Sequence, residues 1–287
     1  MSRSRRRSHS KKVGMPPGSL VHVGEVKATQ AELSLFRYDA GQLTEQSAAS
    51  LAGLDLHRSE TETLWLNLHG LQDAALMAEL GKTFGLHPLV MEDILNTDQR
   101  PKLDSYGDYQ YFVARFFSYD KATLAIGSEQ VSIILGRNFV LTFQERRSGS
   151  FDPVRERIRR GSGRIRTVAA DYLGYSLVDA LVDRFFPLLE GYAEELEHLE
   201  AEVVRHPTAG MVREIYSLKR ELLGLRRMIW PVRDAIATLP GDWFDRPTLA
   251  ARLAEHASGR RDHGRLLWSL LVLEHWRRRH DVAGLAS

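Results

Sequence analysis

Apolar residues along the first half of the chain follow two periods in turn. Val21 and Val23 alternate with His22 and Gly24, and Leu33–Tyr38 forms a second short run, so both predict strands. Leu64–Leu68 alternates again, while Leu76, Leu80 and Phe84 recur at helical spacing within Gln72–Phe84. His87-Pro88 starts another helix with proline in its favoured first position. That helix carries Val90, Ile94 and Leu95 and must stop before Pro101, which lacks an amide hydrogen. Tyr109–Tyr119, Glu129–Leu135 and Asn138–Phe143 are β-branched and aromatic runs that predict three more strands, with Gly136-Arg137 as a two-residue hairpin connection.

Beyond Phe151-Asp152-Pro153 the period becomes helical throughout. Leu173, Leu177, Leu181, Phe185, Leu188, Tyr192, Leu196, Leu199 and Val203 fit an amphipathic helix of roughly nine turns. His206–Gly210 interrupts the pattern, which resumes from Met211 through Ile215, Leu218, Leu222, Leu225, Ile229, Val232 and Ile236. A short turn between two long helices makes an antiparallel hairpin. Pro187 and Pro231 should each mark a kink or a local break. Glu194, Glu195, Glu197, Glu200 and Glu202 on one arm, and Arg213, Lys219, Arg220, Arg226 and Arg227 on the other, read as solvated faces with cross-helix ion pairs. The fold class is therefore α/β (α+β): an N-terminal domain with a mixed sheet flanked by helices, followed by a long antiparallel helical hairpin. Expected boundaries are a basic flexible head over 1–14, the α/β domain over 15–165, the hairpin over 166–250 and a divergent tail over 251–287.

Composition adds exclusions. With 43% hydrophobic and 26% charged residues the 287-residue chain falls in the ordinary globular range. Its zero cysteines remove thiolate metal sites, disulfides and thiol nucleophiles, so a metal here must use oxygen or imidazole. No apolar run approaches the roughly 20 residues of a membrane-spanning helix, and the basic start leads into Pro16-Pro17 and not into a signal-peptide core. The formal net charge of +2 is an average over unlike regions. Residues 1–12 hold six Lys/Arg and no acid, residues 252–287 hold seven Arg and four acids, and the remaining 239 hold 26 basic and 33 acidic groups. The body is thus acidic, a poor nucleic-acid binder and a plausible cation binder. No phosphate loop, Gly-x-Ser-x-Gly elbow or His-Glu-x-x-His run calls for catalysis. His69 and His87 are single histidines beside apolar residues and, like the core positions Trp65 and Trp230, read as structural.

The most informative stretch is Gly85-Leu-His-Pro-Leu-Val-Met-Glu-Asp-Ile-Leu-Asn-Thr-Asp-Gln-Arg-Pro-Lys102, followed by Asp104-Ser-Tyr-Gly-Asp-Tyr109. Together with Lys12–Gly18, Glu129–Ile134, Phe143-Gln-Glu145, Phe151–Ile158, Asp171–Asp183 and Ile229–Arg233, it resembles the cytoplasmic domain of the CorA family of magnesium and cobalt transporters. The likeness runs over roughly residues 11 to 250. It implies a homopentameric transporter whose cytoplasmic α/β domain and helical hairpin precede a stalk and two membrane helices, the first ending in Gly-Met-Asn. Neither that signature nor a membrane segment occurs here. The resemblance also implies metal residues at Asp93, Glu92 and Asp179, binding Mg2+, with Co2+ or other divalent cations as related ligands. In the family these carboxylates face a neighbouring subunit, divalent ions bridge them to hold the pore closed, and depletion lets repulsion loosen the ring.

From the residues alone, Glu92 and Asp93 are adjacent on a helix and diverge by about 100°, so they are poorly placed to clamp one octahedral ion together. Carboxylates near a helix terminus, and ion pairs of Asp179 or Asp183 with Arg184 or Lys219, are the structural alternatives. The family's stalk aspartate should fall near 253–260, where Glu255 is the one carboxylate and its context does not match, so the role is not carried to it. The tail, with His256, His263, His275 and His280 in no compact ligand spacing, reads as a frame-shifted or truncated transporter end. The resulting expectation is the ion-sensing portion of a CorA-type transporter, not an enzyme. It would be membrane-associated only through C-terminal helices, at the cell membrane in the full-length family protein and cytoplasmic as this chain. A soluble divalent-cation-binding regulatory module without transport is the alternative, and a basic head that binds nucleic acid or anionic membrane is a third class.

Overall fold

A computed structural model describes residues 12–120, 125–205, 208 and 210–223. Seven strands form one mixed sheet: β1 (Glu32–Tyr38), β2 (Leu43–Ala48), β3 (Thr63–His69), β4 (Lys102–Ser105), β5 (Tyr109–Asp120), β6 (Ala125–Gly136) and β7 (Phe139–Gln144). Their spatial order is β2-β1-β3-β7-β6-β5-β4, antiparallel throughout except for the parallel β3–β7 pair. The helices are α1 (Ala74–Phe84), α2 (Pro88–Leu95), α3 (Asp152–Arg160), α4 (Ala170–Asp183) and α5 (Phe185–Arg205), with a further helical segment over 210–223.

Both sheet faces are covered, and the alternation along the strands sorts side chains between two cores. Leu64, Leu66 and Leu68 of β3 pack with α1 and α2, together with Tyr111, Val113, Ile134, Leu141 and Phe143. Trp65 faces the other way, with Phe36, Phe112, Phe116, Val131, Ile133 and Val140, against Phe151, α3 and α4. Trp65 is fully buried and donates its indole hydrogen to Thr142 at 3.0 Å, while Asn67 donates to Gln144 at 3.0 Å, so side chains on this face tie β3 to β7. Arg155 lies 5.3 Å from the Trp65 ring and is held by Asp152 at 2.7 Å.

The caps follow the local sequence. Asp73 accepts the amides of Ala75 and Leu76 at 3.0 Å, and Gly85 closes α1 in the left-handed conformation at φ 65°. His87 caps α2 through Nδ1, accepting from Leu89 at 3.2 Å, which gives this histidine the expected structural role. The long helical run changes at Arg184. Pro187, in the first turn of α5, has no amide to donate back to Asp183, and the chain breaks there into α4 and α5 as the proline predicts. Tyr192 bonds Glu221 at 3.4 Å, and Leu199 and Leu218 share a cluster with Phe117 and Phe185, so α5 and the 210–223 helix run antiparallel.

Two sequence expectations change. Val21 and Val23 do not form a strand: Val23 makes one isolated parallel bridge, to Asn96 at the end of α2, because the segment lies on a helix end and not on a sheet edge. The β6–β7 turn falls at Arg137-Asn138, one residue later than expected, since β6 runs through Gly136. The head over 1–11, Trp230, Pro231, Arg226, Arg227, Glu255 and the tail lie outside the described residues.

His69 gives the fold a pH signature. It is 4% exposed, and burial first, then the charges of Arg155 and Arg147, lower its pKa from 6.5 to about 4. The unfolded chain still takes a proton near 6.5, so stability falls as pH drops from 6.5 towards 4, by up to ~3 kcal/mol for a shift of roughly 2.5 pH units. Urea unfolding midpoints at pH 7 and pH 4.5 check this. His69→Gln should lose much of the difference between the two, and an unchanged difference would assign the pH dependence to other groups.

Candidate cation site on α2 and β4

The sheet fixes α2 from below. Gln130 of β6, 1% exposed, reaches the end of the helix, donating to the carbonyls of Ile94 at 3.3 Å and Asp93 at 3.4 Å and accepting from the Gln99 amide at 3.2 Å. The bond to Ile94 satisfies a carbonyl that the helix end would otherwise leave open, and the one to Asp93 adds to the bond its carbonyl accepts from the Asn96 amide at 3.2 Å. Arg115 of β5 adds a bond to the Thr97 carbonyl at 2.9 Å and one to Ser128 at 3.1 Å. With Val90, Met91, Ile94 and Leu95 buried, Glu92 and Asp93 are left on the outer side of the helix.

The two carboxylates serve different partners. Glu92 holds the preceding segment: Lys12 Nζ lies 2.6 Å from Oε1, and the Gly18 amide donates to Oε2 at 2.5 Å. Further along, Val23 donates to Leu95 at 2.9 Å, and Thr97 donates to the Val23 carbonyl from its amide at 3.0 Å and its hydroxyl at 2.9 Å. Residues 12–24 thus form a strap along α2. Gly18 has φ 85°, and a Cβ there would sit 2.9 Å from the Pro88 Cβ, so the strap's close approach requires glycine. The Lys12 ammonium and the Gly18 amide hold the Glu92 carboxyl below the ordinary carboxylate range, against a smaller opposing desolvation.

Asp93 turns the other way. Its Oδ2 lies 2.8 Å from Lys102 Nζ, and Gln99 donates to Oδ1. The same ammonium lies 2.6 Å from Asp104 Oδ2. Lys102 and Asp104 are two apart on β4, hence on one face of the strand. Two carboxylate oxygens therefore converge on a single cationic point, with Lys102 34%, Asp93 22% and Asp104 38% exposed. Desolvation works to lower the Lys102 pKa, but bonding to Asp104 and Asp93 outweighs it and leaves the value raised.

The expected divergence of Glu92 and Asp93 holds: they sit in two separate ion pairs. Asp179 is on α4, which packs against the sheet face opposite to α2, so the fold does not gather the three expected metal residues on one face of one chain. Among the described residues no group of three or more His, Asp or Glu is placed to hold a metal ion. An oxygen-seeking ion such as Mg2+ fits the donor set at Asp93 and Asp104, where a lysine ammonium already occupies a cation's place, provided that water or another chain supplies the remaining ligands. Asp104, Lys102 and Lys12 were not recognised as site residues from the sequence. The Lys-x-Asp spacing on a short edge strand was the one available signal.

Fold and ion pairs together define a mixed-sheet domain with a helical hairpin and partly exposed carboxylates that lysines neutralise. A sequence model of the family described as CorA-like Mg2+ transporter protein matches residues 60–259, and the chain belongs to this family. CorA family proteins are transporters, not enzymes. The cobalt/magnesium transport protein CorA of Thermotoga maritima is 42% identical over 233 residues, which cover 81% of this chain and 66% of that protein. The chain thus spans just under two thirds of that relative's length. In fold it is similar to full-length CmaX, with a TM-score of 0.59 at 23% identity over 90% of this chain and 77% of that one. It is also similar to the complete CorA magnesium transporter of Methanocaldococcus jannaschii, with a TM-score of 0.55 at 16% identity, covering 88% and 80%. No helix among the described residues is long and apolar enough to cross a membrane.

The strap supplies a test of the Glu92 assignment. Glu92→Ala should expose the 12–24 segment, raising tryptic cleavage after Lys12 at pH 7 by about tenfold, a local opening that leaves the sheet intact. Because the folded Glu92 pKa is lowered, attachment is complete above the unfolded value near 4.5 and weakens as pH falls below it. The Gly18 amide resonance followed from pH 6 to pH 3 reads this directly. Equal cleavage rates for wild type and variant would show that Glu92 does not hold the strap.

Proposed function

We propose that this chain is the ion-sensing portion of a CorA-type divalent-cation transporter, in which Mg2+ held at Asp93 bridges neighbouring copies in a ring, a pentamer by family expectation, and so gates the pore. The observation that carries the reading is the convergence of Asp93 and Asp104 on the partly buried Lys102 ammonium, a place where the fold already holds a cation against Asp93. Mg2+ needs only one or two carboxylates when it keeps several waters, so such a half-site gains an ion at an interface more readily than alone. Asp179 supports the same arrangement. Its helix covers the opposite side of the sheet, so an ion shared between Asp93 and Asp179 would join two chains. Glu92 becomes a ligand only by releasing Lys12, and its first role is to anchor the strap. Co2+ and related ions compete for the same oxygens, and the hydration energy of each ion sets its rank.

Oligomeric state and protease protection, with and without millimolar Mg2+, test this on the wild type and Asp93→Ala. The wild type should gain both higher-order assembly and protection, and Asp93→Ala should gain neither. Identical, Mg2+-independent behaviour of the two proteins would remove the sensing role, and Mg2+ binding by a monomer would make the site intramolecular.

A further inference from the structure

We propose that Lys102 is the residue that sets which cations, and at what concentration, occupy Asp93: a tethered counter-ion that only a divalent ion displaces. The inference rests on Asp93 being the ion-binding carboxylate. Lys102 Nζ sits 2.8 Å from Asp93 Oδ2 and 2.6 Å from Asp104 Oδ2, and 5.5 Å from the centre of the Tyr111 ring. Mg2+ bonds a carboxylate oxygen at about 2.1 Å and carries its own water shell, so ion and ammonium cannot share the same Asp93 lone pair. One must yield. Asp104 gives the ammonium a second carboxylate on its own strand, two residues along, and the four-carbon stem lets Nζ swing wholly to it while a metal takes Asp93.

The consequence is discrimination by charge. A tethered ammonium is present at high effective concentration beside Asp93, and K+ or Na+ carries the same single charge without that advantage. Monovalent ions are therefore excluded. A divalent ion gains twice the Coulomb attraction to the two carboxylates and displaces the lysine once its concentration is high enough. Without Lys102, Asp93 and Asp104 would be two carboxylates with no cationic partner among the described residues, Asp93 keeping only its bond from Gln99.

The test is a Mg2+ titration of protease protection on the full chain at constant ionic strength, for wild type, Lys102→Gln, Asp104→Asn and Asp93→Ala, with either potassium or N-methylglucamine as the background cation. Lys102→Gln should lower the Mg2+ midpoint on the order of tenfold and make it sensitive to potassium, to which the wild type is indifferent. Asp104→Asn should move the midpoint the other way, because it removes a negative charge and leaves the ammonium wholly on Asp93. That oppositely signed variant keeps the inference testable if loss of Lys102 perturbs folding. A Lys102→Gln midpoint that is unchanged or raised, while Asp93→Ala abolishes protection, overturns the role of Lys102 and leaves the Asp93 site standing. Wild-type behaviour of Asp93→Ala overturns both.

Discussion

Every residue of β3 is buried, and that single constraint organises the rest of the molecule. A strand covered on both faces must send alternate side chains into two separate cores, and Leu64, Leu66 and Leu68 on one side and Trp65, Asn67 and His69 on the other do so. Among the described residues the strand is also the only one that pairs in parallel within the sheet, with β7, so the connection between them must cross over. The intervening chain supplies α1 and α2 for one face on the way. The helices that follow β7 cover the other. The layer that carries Asp93 and the layer that carries Asp179 are thereby separated by the sheet itself, whatever the local chemistry of either residue.

Some of the buried polar groups serve the strand pairing. Asn67, Thr142 and Gln144 sit in the centre of the sheet with partners across β3 and β7, and Gln130 leaves the sheet to close the end of α2. An unpaired amide or hydroxyl at such depth would cost about 1–3 kcal/mol, so these contacts fix register as well as stability. Gln130 therefore links the sheet to α2. It holds the backbone of Asp93 and Ile94 to β6, and the direction of the Asp93 side chain follows from that anchorage.

The elements legible in the sequence were those whose period reports burial: β1, β3, β5, β6, β7, α1, α2 and the helical run through Leu199. The two edge strands were not. β2, Leu43–Ala48, and β4, Lys102–Ser105, are short and largely polar, and they owe their conformation to a neighbour's open backbone and not to an apolar face. Val21 and Val23 misled for the converse reason, since alternation without an available sheet edge gives an extended strap. The same distinction governs the site. The run from Gly85 to Lys102 pointed to Glu92 and Asp93 because it is contiguous. Their actual partners, Lys12, Lys102 and Asp104, come from a strap and an edge strand whose placement on α2 is a tertiary fact.

The ion pairs also bear on how strong a depletion signal this surface can give. Glu92 is neutralised by Lys12, while Asp93 and Asp104 share one ammonium and together retain a single negative charge. Adjacent copies of such a surface would repel by only about 1 kcal/mol at contact in a watery interface, and less at physiological salt. Per interface that is a weak force for opening anything. If copies assemble in a closed ring as proposed, the repulsions add round it, and a divalent ion arriving at Asp93 would change the local sum from minus one to plus one. On that proposal, lysines that hold the resting charge to a single unit would make the assembled state tolerant of modest ion loss.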